Sequence, residues 1–207
     1  MYLLDKLPKF QSQPWKHIVI DDALPSEVAD GLLSEWKRDR HRWQWGSMNA
    51  PYDGTMLHVP PVENELHHDF FVENFSRRRE IYNTLCDYFQ IPTEKGVDLD
   101  HWKYVEYPRK NTYSLIRNWH DDLPDKKFHI MYYLGKDVLN GYFEALNKQT
   151  GVEIKYPFRH NRLIIWHNVP GTTHRFGNAV GDRRRTMTIC FRRKVVHNKL
   201  EKLLDVV

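Results

Sequence analysis

The chain has 207 residues, of which 41% are hydrophobic and 28% are charged, which is enough for one sizeable domain and too few for two ordinary ones. This composition and a mean hydropathy of −0.70 exclude a disordered or fibrous chain. The formal net charge of +4 is too small for a dedicated nucleic-acid binder, but it is compatible with the binding of an anionic ligand.

Cysteine usage and the N-terminal composition indicate the compartment. Cys86 and Cys190 are too far apart in sequence for a metal knuckle and too few for a disulfide framework. The first fifteen residues carry early charges and no long apolar run, so neither a signal peptide nor a membrane span is expected. These features predict a soluble cytoplasmic protein with no membrane association, and they indicate no oligomeric state.

The N-terminal part of the chain predicts one short strand and two helices. The strand is expected over residues 17–21, and the first helix follows with Ser26 as its N-cap. The apolar positions that recur at helical spacing in it are Val28, Leu32, Leu33 and Trp36. A longer helix is predicted over residues 69–89, with His67 and His68 on its exposed start.

From about residue 100, short apolar runs alternate with turn residues, as in an antiparallel sandwich or barrel. The predicted strands cover residues 103–106, 113–119, 128–134, 141–146, 162–166 and 185–191. A closing helix is expected over residues 195–204. We therefore predict a single domain, 1–207, with a helical and strand support layer over 1–99, a β core over 100–193 and a C-terminal helix over 194–207.

A candidate metal site follows from the histidines. His-x-Asp occurs at residues 67–69, before a helix, and at His120–Asp122, between a predicted strand and a turn, where both side chains can face one side. His174 follows a later strand and supplies a third donor. Two histidines and one carboxylate on one face form the facial triad of non-haem Fe(II) oxygenases. The adjacent Asp121 stays open as an alternative carboxylate.

A run of three arginines leads into the last predicted strand. An arginine guanidinium pairs with a carboxylate through two parallel hydrogen bonds. Strict alternation places Arg184 on the same face as Thr186, Thr188 and Cys190, whereas Arg185 shares the apolar face. Arg184 is therefore the first choice for binding a carboxylate, and Arg183 and Arg185 remain alternatives.

Several motifs after residue 100 follow one another in a recognisable order. They are His120–Asp122, Tyr132-Tyr133-Leu134, Asn140–Glu144, Pro157, Asn161–Trp166, His174 and Arg184. In this order the segment resembles the core of the Fe(II)/2-oxoglutarate dioxygenases, closest to the prolyl-4-hydroxylase-like group. Residues 17–25 are similar to the N-terminal entry of that group, whose Gly-Gly-Glu turn is reduced here to Asn140-Gly141. The resemblance implies a mainly β fold with flanking helices around a double-stranded β-helix, that is, a jelly-roll or cupin-like core.

The resemblance also implies the cofactors, the site residues and the reaction. His120, Asp122 and His174 would bind Fe(II), and Arg184 and Tyr133 would bind the distal carboxylate of 2-oxoglutarate; ascorbate is a further cofactor that it allows. The implied activity is hydroxylation of a C–H bond, with succinate and CO2 as coproducts. The substrate would be a prolyl or other amino-acid side chain, peptidyl or free, or another small molecule. A carboxylate ligand at Asp122 disfavours a halogenase.

Two alternative functions stay open. A nucleobase-repair dioxygenase of this superfamily usually carries a second arginine six residues after the first, where this chain has Cys190. That difference, together with the modest charge, disfavours a nucleic-acid partner. A cupin-like barrel that binds metal without turnover has no need of an inward cation such as Arg184.

Overall fold

The computed structural model describes residue 4 and residues 7–43, 46–47, 55–57, 64–107, 118–177 and 180–193. Its helices are α1 Ser26–Asp39, α2 Glu65–Ser76 and α3 Arg78–Phe89, with a 3-10 turn at Arg40–Arg42. The strands are β1 His17–Ile20, β2 Gly46–Ser47, β3 Thr55–Leu57, β4 Val97–Tyr107, β5 Lys126–Leu134, β6 Val138–Leu139, β7 Phe143–Asn147, β8 Glu153–Tyr156, β9 Arg162–His167, β10 Thr172–Phe176, β11 Val180–Gly181 and β12 Arg184–Arg193.

The strands form two antiparallel sheets and a separate two-stranded ladder. The large sheet has the order β1-β9-β5-β12-β4-β3-β2, the small sheet has the order β10-β7-β8, and β11 pairs with β6. An isolated antiparallel bridge joins His120 to His174 on β10. This arrangement is mainly β with flanking helices, as the sequence predicts.

One face of the large sheet packs against the helices. The side chains on this face of β5, β9 and β12 alternate with those of the opposite face, and they are almost all apolar. Those packed with α1 and α3 in one buried cluster are Phe128, Ile130, Tyr132, Leu163, Ile165, Met187, Ile189 and Phe191. Fully burying a side chain of this size contributes about 1.5–3 kcal/mol, so this layer holds the sheet rigidly.

The other face of the large sheet looks toward the small sheet. The apolar side chains buried between them are Met131, Tyr133, Phe143, Ala145, Ile164, Trp166 and Phe176. The same face of β12 carries Arg184, Thr186 and Thr188, all of them buried. Polar groups are therefore held between two sheets and away from bulk water.

Two expectations about the helices are wrong. The single helix predicted over residues 69–89 is divided at Arg77, whose φ of −94° and ψ of 13° lie outside the α-helical region. Phe75 on the first half is 37% exposed, and the break lets each half bury its own apolar side. In α1, Ser26 is the first helical residue and Pro25 takes the N-cap position, with no side-chain cap.

His67 is also placed differently from the expectation of an exposed helix start. It is fully buried, and its Nε2–H donates to the carbonyl oxygen of Leu32 at 2.7 Å. Trp36, Trp43 and Tyr104 surround the ring edge-to-face at 5.2–5.7 Å between centroids. Burial lowers the pKa of His67 to about 4, so the ring is neutral at pH 7.

Two predicted elements lie partly or wholly outside the described residues. They are the strand over residues 113–119, of which 118 and 119 are described, and the helix over residues 195–204. In the part of the chain that the structure does describe, no helix is long and apolar enough to cross a membrane.

The burial of His67 predicts a loss of stability in acid. Its folded-state pKa lies below the unfolded value of 6.5, so the stabilisation is fully present above pH 6.5 and is lost as the pH falls toward 4. The free energy of unfolding should therefore fall by about 2 kcal/mol more in the native protein than in His67→Phe between pH 7 and pH 5. Urea unfolding at both pH values measures this difference, with exposed His41→Gln as the control. An equal pH dependence in the native protein and His67→Phe would contradict the expectation.

Candidate functional site

The three predicted metal-binding residues lie together at one end of the space between the sheets. The backbone amide of His120 donates to the carbonyl of His174 at 3.1 Å, and the reverse hydrogen bond is 3.0 Å long. The two imidazole rings are 4.4 Å apart between centroids. Asp122 Oδ2 lies 3.9 Å from His174 Nε2, so both histidines and the carboxylate share one locality.

Asp122, and not Asp121, is the carboxylate that faces this locality. Its oxygens accept hydrogen bonds from Lys126 Nζ at 2.6 Å and from His129 Nδ1 at 3.1 Å. Burial alone would raise the pKa of Asp122, but the neighbouring His129, His174 and Lys126 outweigh it and hold that pKa far below its usual range. Asp121 contacts Lys148 in a half-exposed pair.

The hydrogen bonds of the two histidines orient their rings, and His174 has the protonation state that a metal requires. His174 is 2% exposed, and its Nδ1–H donates to the Thr172 carbonyl at 3.2 Å, which leaves Nε2 on the side of Asp122. Burial lowers the pKa of His174 to about 3. His120 donates from Nδ1 to the Asn118 carbonyl at 2.9 Å. Such hydrogen bonds fix the tautomer of a ligating histidine.

The donor set fits a divalent transition metal in its chemistry and requires one adjustment in its geometry. Neutral imidazoles with an ionised carboxylate are the ligands of facial-triad iron. The ligand atoms of His120, Asp122 and His174 are not all within 4.8 Å of one another. A metal ion would therefore require the partly exposed ring of His120 to turn, while His174 and Asp122 are already packed in place.

Contacts with Glu106 distinguish Arg183 and Arg185 from Arg184. Its carboxylate is buried and accepts from Arg183 at 2.9 Å and from Arg40 at 2.7 Å, with Arg185 Nε at 3.5 Å. Arg184 points to the other face of β12, is 3% exposed, and places its Cζ 4.9 Å from the Phe176 ring centroid. Arg184 is thus the arginine of this run that faces the space between the sheets.

Tyr133 and Thr186 lie beside Arg184 on the same face. Tyr133 on β5 is directly opposite Thr186 on β12, and both are buried. Among the described residues, the Thr186 hydroxyl has no hydrogen-bond partner. A buried hydroxyl of this kind next to a guanidinium fits an anionic oxygen such as a 2-oxoglutarate carboxylate. The alternation of β12 placed Thr186 on the polar face, but sequence analysis did not single it out as a binding residue.

A second group of polar side chains was not anticipated. The register of β12 with β4 pairs Cys190 with His101 and Phe191 with Leu99, so that Asp100 is an extra residue in the ladder. A bulge of this kind redirects a side chain, and the ligand atoms of Asp100, His101 and Cys190 lie within 4.8 Å of one another. Sequence analysis missed this group because a one-residue bulge leaves no pattern in the sequence.

No protein-family profile and no curated protein sequence matches this chain. Solved structures do match it. A Pseudomonas putida prolyl-4-hydroxylase is 15% identical with a TM-score of 0.62, and 86% of this chain aligns with 92% of that one. A Trichoplax adhaerens prolyl hydroxylase, in complex with a hypoxia inducible factor peptide fragment, is 14% identical with a TM-score of 0.64 over 86% and 83% of the two chains.

A third neighbour carries out a different reaction on the same fold. The epimerase SnoN, in complex with Fe3+, alpha ketoglutarate and nogalamycin RO, is 11% identical with a TM-score of 0.58 over 85% of this chain and 78% of that one. The chain thus has the double-stranded β-helix fold of the 2-oxoglutarate/Fe(II) oxygenases, the prolyl-4-hydroxylase-like group included. The predicted fold class and structural resemblance are confirmed.

The orientation of the arginines predicts which one binds 2-oxoglutarate. Arg184→Gln should weaken the binding of 2-oxoglutarate roughly 30-fold or more, because a charge-assisted bidentate pair is lost. Arg183→Gln is the matched control and should leave the affinity unchanged, since Arg183 faces Glu106. Anaerobic isothermal titration with Fe(II) measures both dissociation constants. Weaker binding in Arg185→Gln and none in Arg184→Gln would show that the neighbouring residue is the anchor.

Proposed function

We propose that this protein is an Fe(II)- and 2-oxoglutarate-dependent dioxygenase that hydroxylates a C–H bond. The observation that carries the proposal is the pairing of two unlike sites between the same two sheets. A buried cation, Arg184, faces this space, and His174 with Asp122 faces it at the other end of β5 and β12. A single molecule with a metal-chelating end and a distal carboxylate is complementary to both.

Each of these residues has a distinct task in that reaction. His120, Asp122 and His174 would hold Fe(II), and Arg184 with Tyr133 and Thr186 would hold 2-oxoglutarate. When bound, Fe(II) and 2-oxoglutarate would together supply the oxidising chemistry: 2-oxoglutarate loses CO2, and the two oxygen atoms of O2 end in succinate and in the hydroxylated substrate.

The protein contributes orientation, charge and the exclusion of water. The Thr172 carbonyl fixes the imidazole of His174, and His129 and Lys126 keep Asp122 ionised and immobile. The apolar side chains that exclude water from the space beside them are Met131, Phe143, Ile164, Trp166 and Phe176. In such surroundings the Arg184 guanidinium binds a carboxylate more strongly than it would in water.

The substrate is a small molecule or a peptidyl side chain, and ascorbate is a further candidate cofactor. The Trichoplax structure contains a peptide, which supports a peptidyl substrate for that protein, whereas SnoN is an epimerase on the same fold. The fold therefore does not determine the reaction, which depends on the residues of the site.

The two alternative functions have less support. A metal-binding barrel without turnover gives no reason for the inward, buried Arg184. A nucleobase-repair enzyme would present a second arginine near the metal, and the side chain at that inward position is the buried thiol of Cys190.

Anaerobic titration with Fe(II) and 2-oxoglutarate tests the proposed function directly. The native protein should develop the weak visible absorption band of a 2-oxoglutarate chelate on facial-triad iron. His174→Gln should lose this band because one of the three ligands is removed. His167→Gln is the matched control, because His167 lies on the opposite face of β9 against Phe128.

Oxygen is then admitted to the native complex and succinate is measured. Formation of succinate in the native protein, and none in a folded His174→Gln, is the expected result. A folded native protein that binds Fe(II) without producing the band or succinate would leave the metal-binding barrel as the better description.

A further inference from the structure

Both oxygen atoms of the Asp122 carboxylate accept hydrogen bonds within the protein, although the proposed function assigns this carboxylate to a metal ion. Oδ1 accepts from Lys126 Nζ at 2.6 Å, and Oδ2 accepts from His129 Nδ1 at 3.1 Å. Oδ2 is the oxygen that lies 3.9 Å from His174 Nε2. A metal ion shared by His174 and Asp122 would therefore be bound by Oδ2, while Oδ1 stays with Lys126.

An irregularity in β5 turns Lys126 toward Asp122. Strict alternation would place Lys126 with Phe128 on the face that packs against the helices. The register of β5 with β12 shifts by one residue between Phe128 and Lys126, so that Lys127 is an extra residue in the ladder. Bulges of this kind redirect a side chain and occur often next to active sites. The strand thus departs from regular geometry at the point that brings an ammonium group to the carboxylate.

Backbone contacts hold the turn that carries Lys126 without help from the ammonium group. The backbone amide of Lys126 donates to the Leu123 carbonyl at 3.0 Å. The side-chain amide of Asn168, which is 5% exposed, donates to the carbonyls of Leu123 and Lys126 at 2.9 and 3.2 Å. Replacing the Lys126 side chain should therefore leave the turn in place and change what faces Asp122.

Lys126 brings a full positive charge to this contact. Its side chain is 17% exposed and that of Asp122 is 7% exposed, so water and salt screen the pair only weakly. Burial alone would lower the pKa of Lys126, but Asp122 and other acidic groups outweigh burial and raise that pKa. Burial lowers the pKa of His129, so its mainly neutral ring contributes a hydrogen bond without a charge at pH 7.

Lys103 is a second cation on the same inner wall, without direct contact to a ligand. It lies opposite Thr188 in the register of β4 with β12, one inward position from Cys190. In the described part of the chain no carboxylate forms an ion pair with Lys103 within 4 Å, whereas Lys126 is bonded to Asp122. Lys126 is therefore the lysine of this wall that touches a predicted metal ligand.

A charge in this position affects the oxidation state of a bound iron ion. Oxidation of Fe(II) to Fe(III) adds one positive charge beside the carboxylate, and a cation paired with that carboxylate repels the added charge. A facial triad has a single anionic side-chain ligand, so neutralising Asp122 leaves the triad with little negative charge to stabilise Fe(III). Groups that are hydrogen-bonded to metal ligands tune the reduction potential of the metal.

We propose that Lys126 is a positioning residue that holds Oδ1 of Asp122 and, through its charge, raises the Fe(III)/Fe(II) reduction potential so that bound iron stays ferrous. This inference rests on the proposed function and adds a residue that protects the active oxidation state of the metal. It concerns the metal site alone, before 2-oxoglutarate, O2 or substrate binds.

The test uses the full chain loaded with an equimolar amount of Fe(II) under argon, without 2-oxoglutarate. A redox titration with soluble mediators at pH 7, followed by the EPR signal of Fe(III), gives the reduction potential. Lys126→Gln keeps a hydrogen-bond donor and removes the charge. It should lower the potential by about 59 mV or more, which corresponds to a tenfold gain in the preference for Fe(III) over Fe(II) in a one-electron couple.

Three further variants separate charge from geometry. Lys126→Arg keeps the charge and should keep the native potential, and Lys126→Met should repeat the result of Lys126→Gln if the glutamine variant does not fold. Lys127→Gln is the matched control, because Lys127 pairs with Glu94 at 2.7 Å, and it should also keep the native potential.

The affinity for Zn(II), which does not change its oxidation state, reports on the position of the carboxylate. Lys126→Gln should bind Zn(II) at least as tightly as the native protein, since Asp122 loses a competing cation. Weaker Zn(II) binding in both Lys126→Gln and Lys126→Arg, with the native potential retained, would overturn the inference and leave a purely structural role. A fall in potential of equal size in Lys127→Gln would overturn it as well.

The visible band and succinate formation in the native protein separate this inference from the proposed function. If both are observed and Lys126→Gln has the native potential, the inference alone fails. If iron binds with the expected shift in potential and neither the band nor succinate forms, the proposed function fails and the role of Lys126 at the metal stands. A folded native protein that binds no Fe(II) would contradict both.

Discussion

The antiparallel register that holds β12 between β5 and β4 decides which side chains can take part in any chemistry here. Adjacent residues of a strand point to opposite faces, so a slip of one residue would exchange Arg184 for Arg185 and every polar group for an apolar one. The register is fixed because the other face buries Met187, Ile189 and Phe191 against the helices. Apolar packing on one face of the sheet therefore determines which polar side chains lie on the other face.

The buried carboxylate of Glu106 also helps to fix this register of β12. A carboxylate with 1% exposure is costly unless it is well paired. Here Trp36 Nε1 donates to it at 3.2 Å, and Arg40, Arg183 and Arg185 surround it. The network links the end of α1 to both β4 and β12, and it keeps two of the three consecutive arginines away from the space between the sheets.

Period-two alternation and motif order made much of this arrangement predictable. Alternation alone separated Arg184 and Thr186 from Arg185 and Met187, and the structure places them on those faces. The spacing of His120, Asp122 and His174 could not reveal how far their donor atoms lie apart, because side-chain rotation is not encoded in spacing. Their role as metal ligands stays a prediction.

Other features depend on tertiary contacts that have no local signal. The break at Arg77 arises because two halves of one apolar pattern pack in different directions. His67 is buried because Trp36, Trp43 and Tyr104, far away in sequence, enclose it. The bulge at Asp100 follows from pairing with β12, so the charge it brings to the inner face appears only once the sheet is assembled.

Charge balance connects the predicted metal-binding residues with Arg184, which faces the same space between the sheets. Asp122 is already compensated by Lys126 on one oxygen and by a hydrogen bond from His129 on the other. A divalent cation bound there adds positive charge to a region that also contains Lys103 and, further along the same face, Arg184. Among side chains as buried as these, this excess of positive charge acts over several ångströms. An anion is therefore favoured once a metal ion is bound, which suits the dicarboxylate cosubstrate proposed for Arg184.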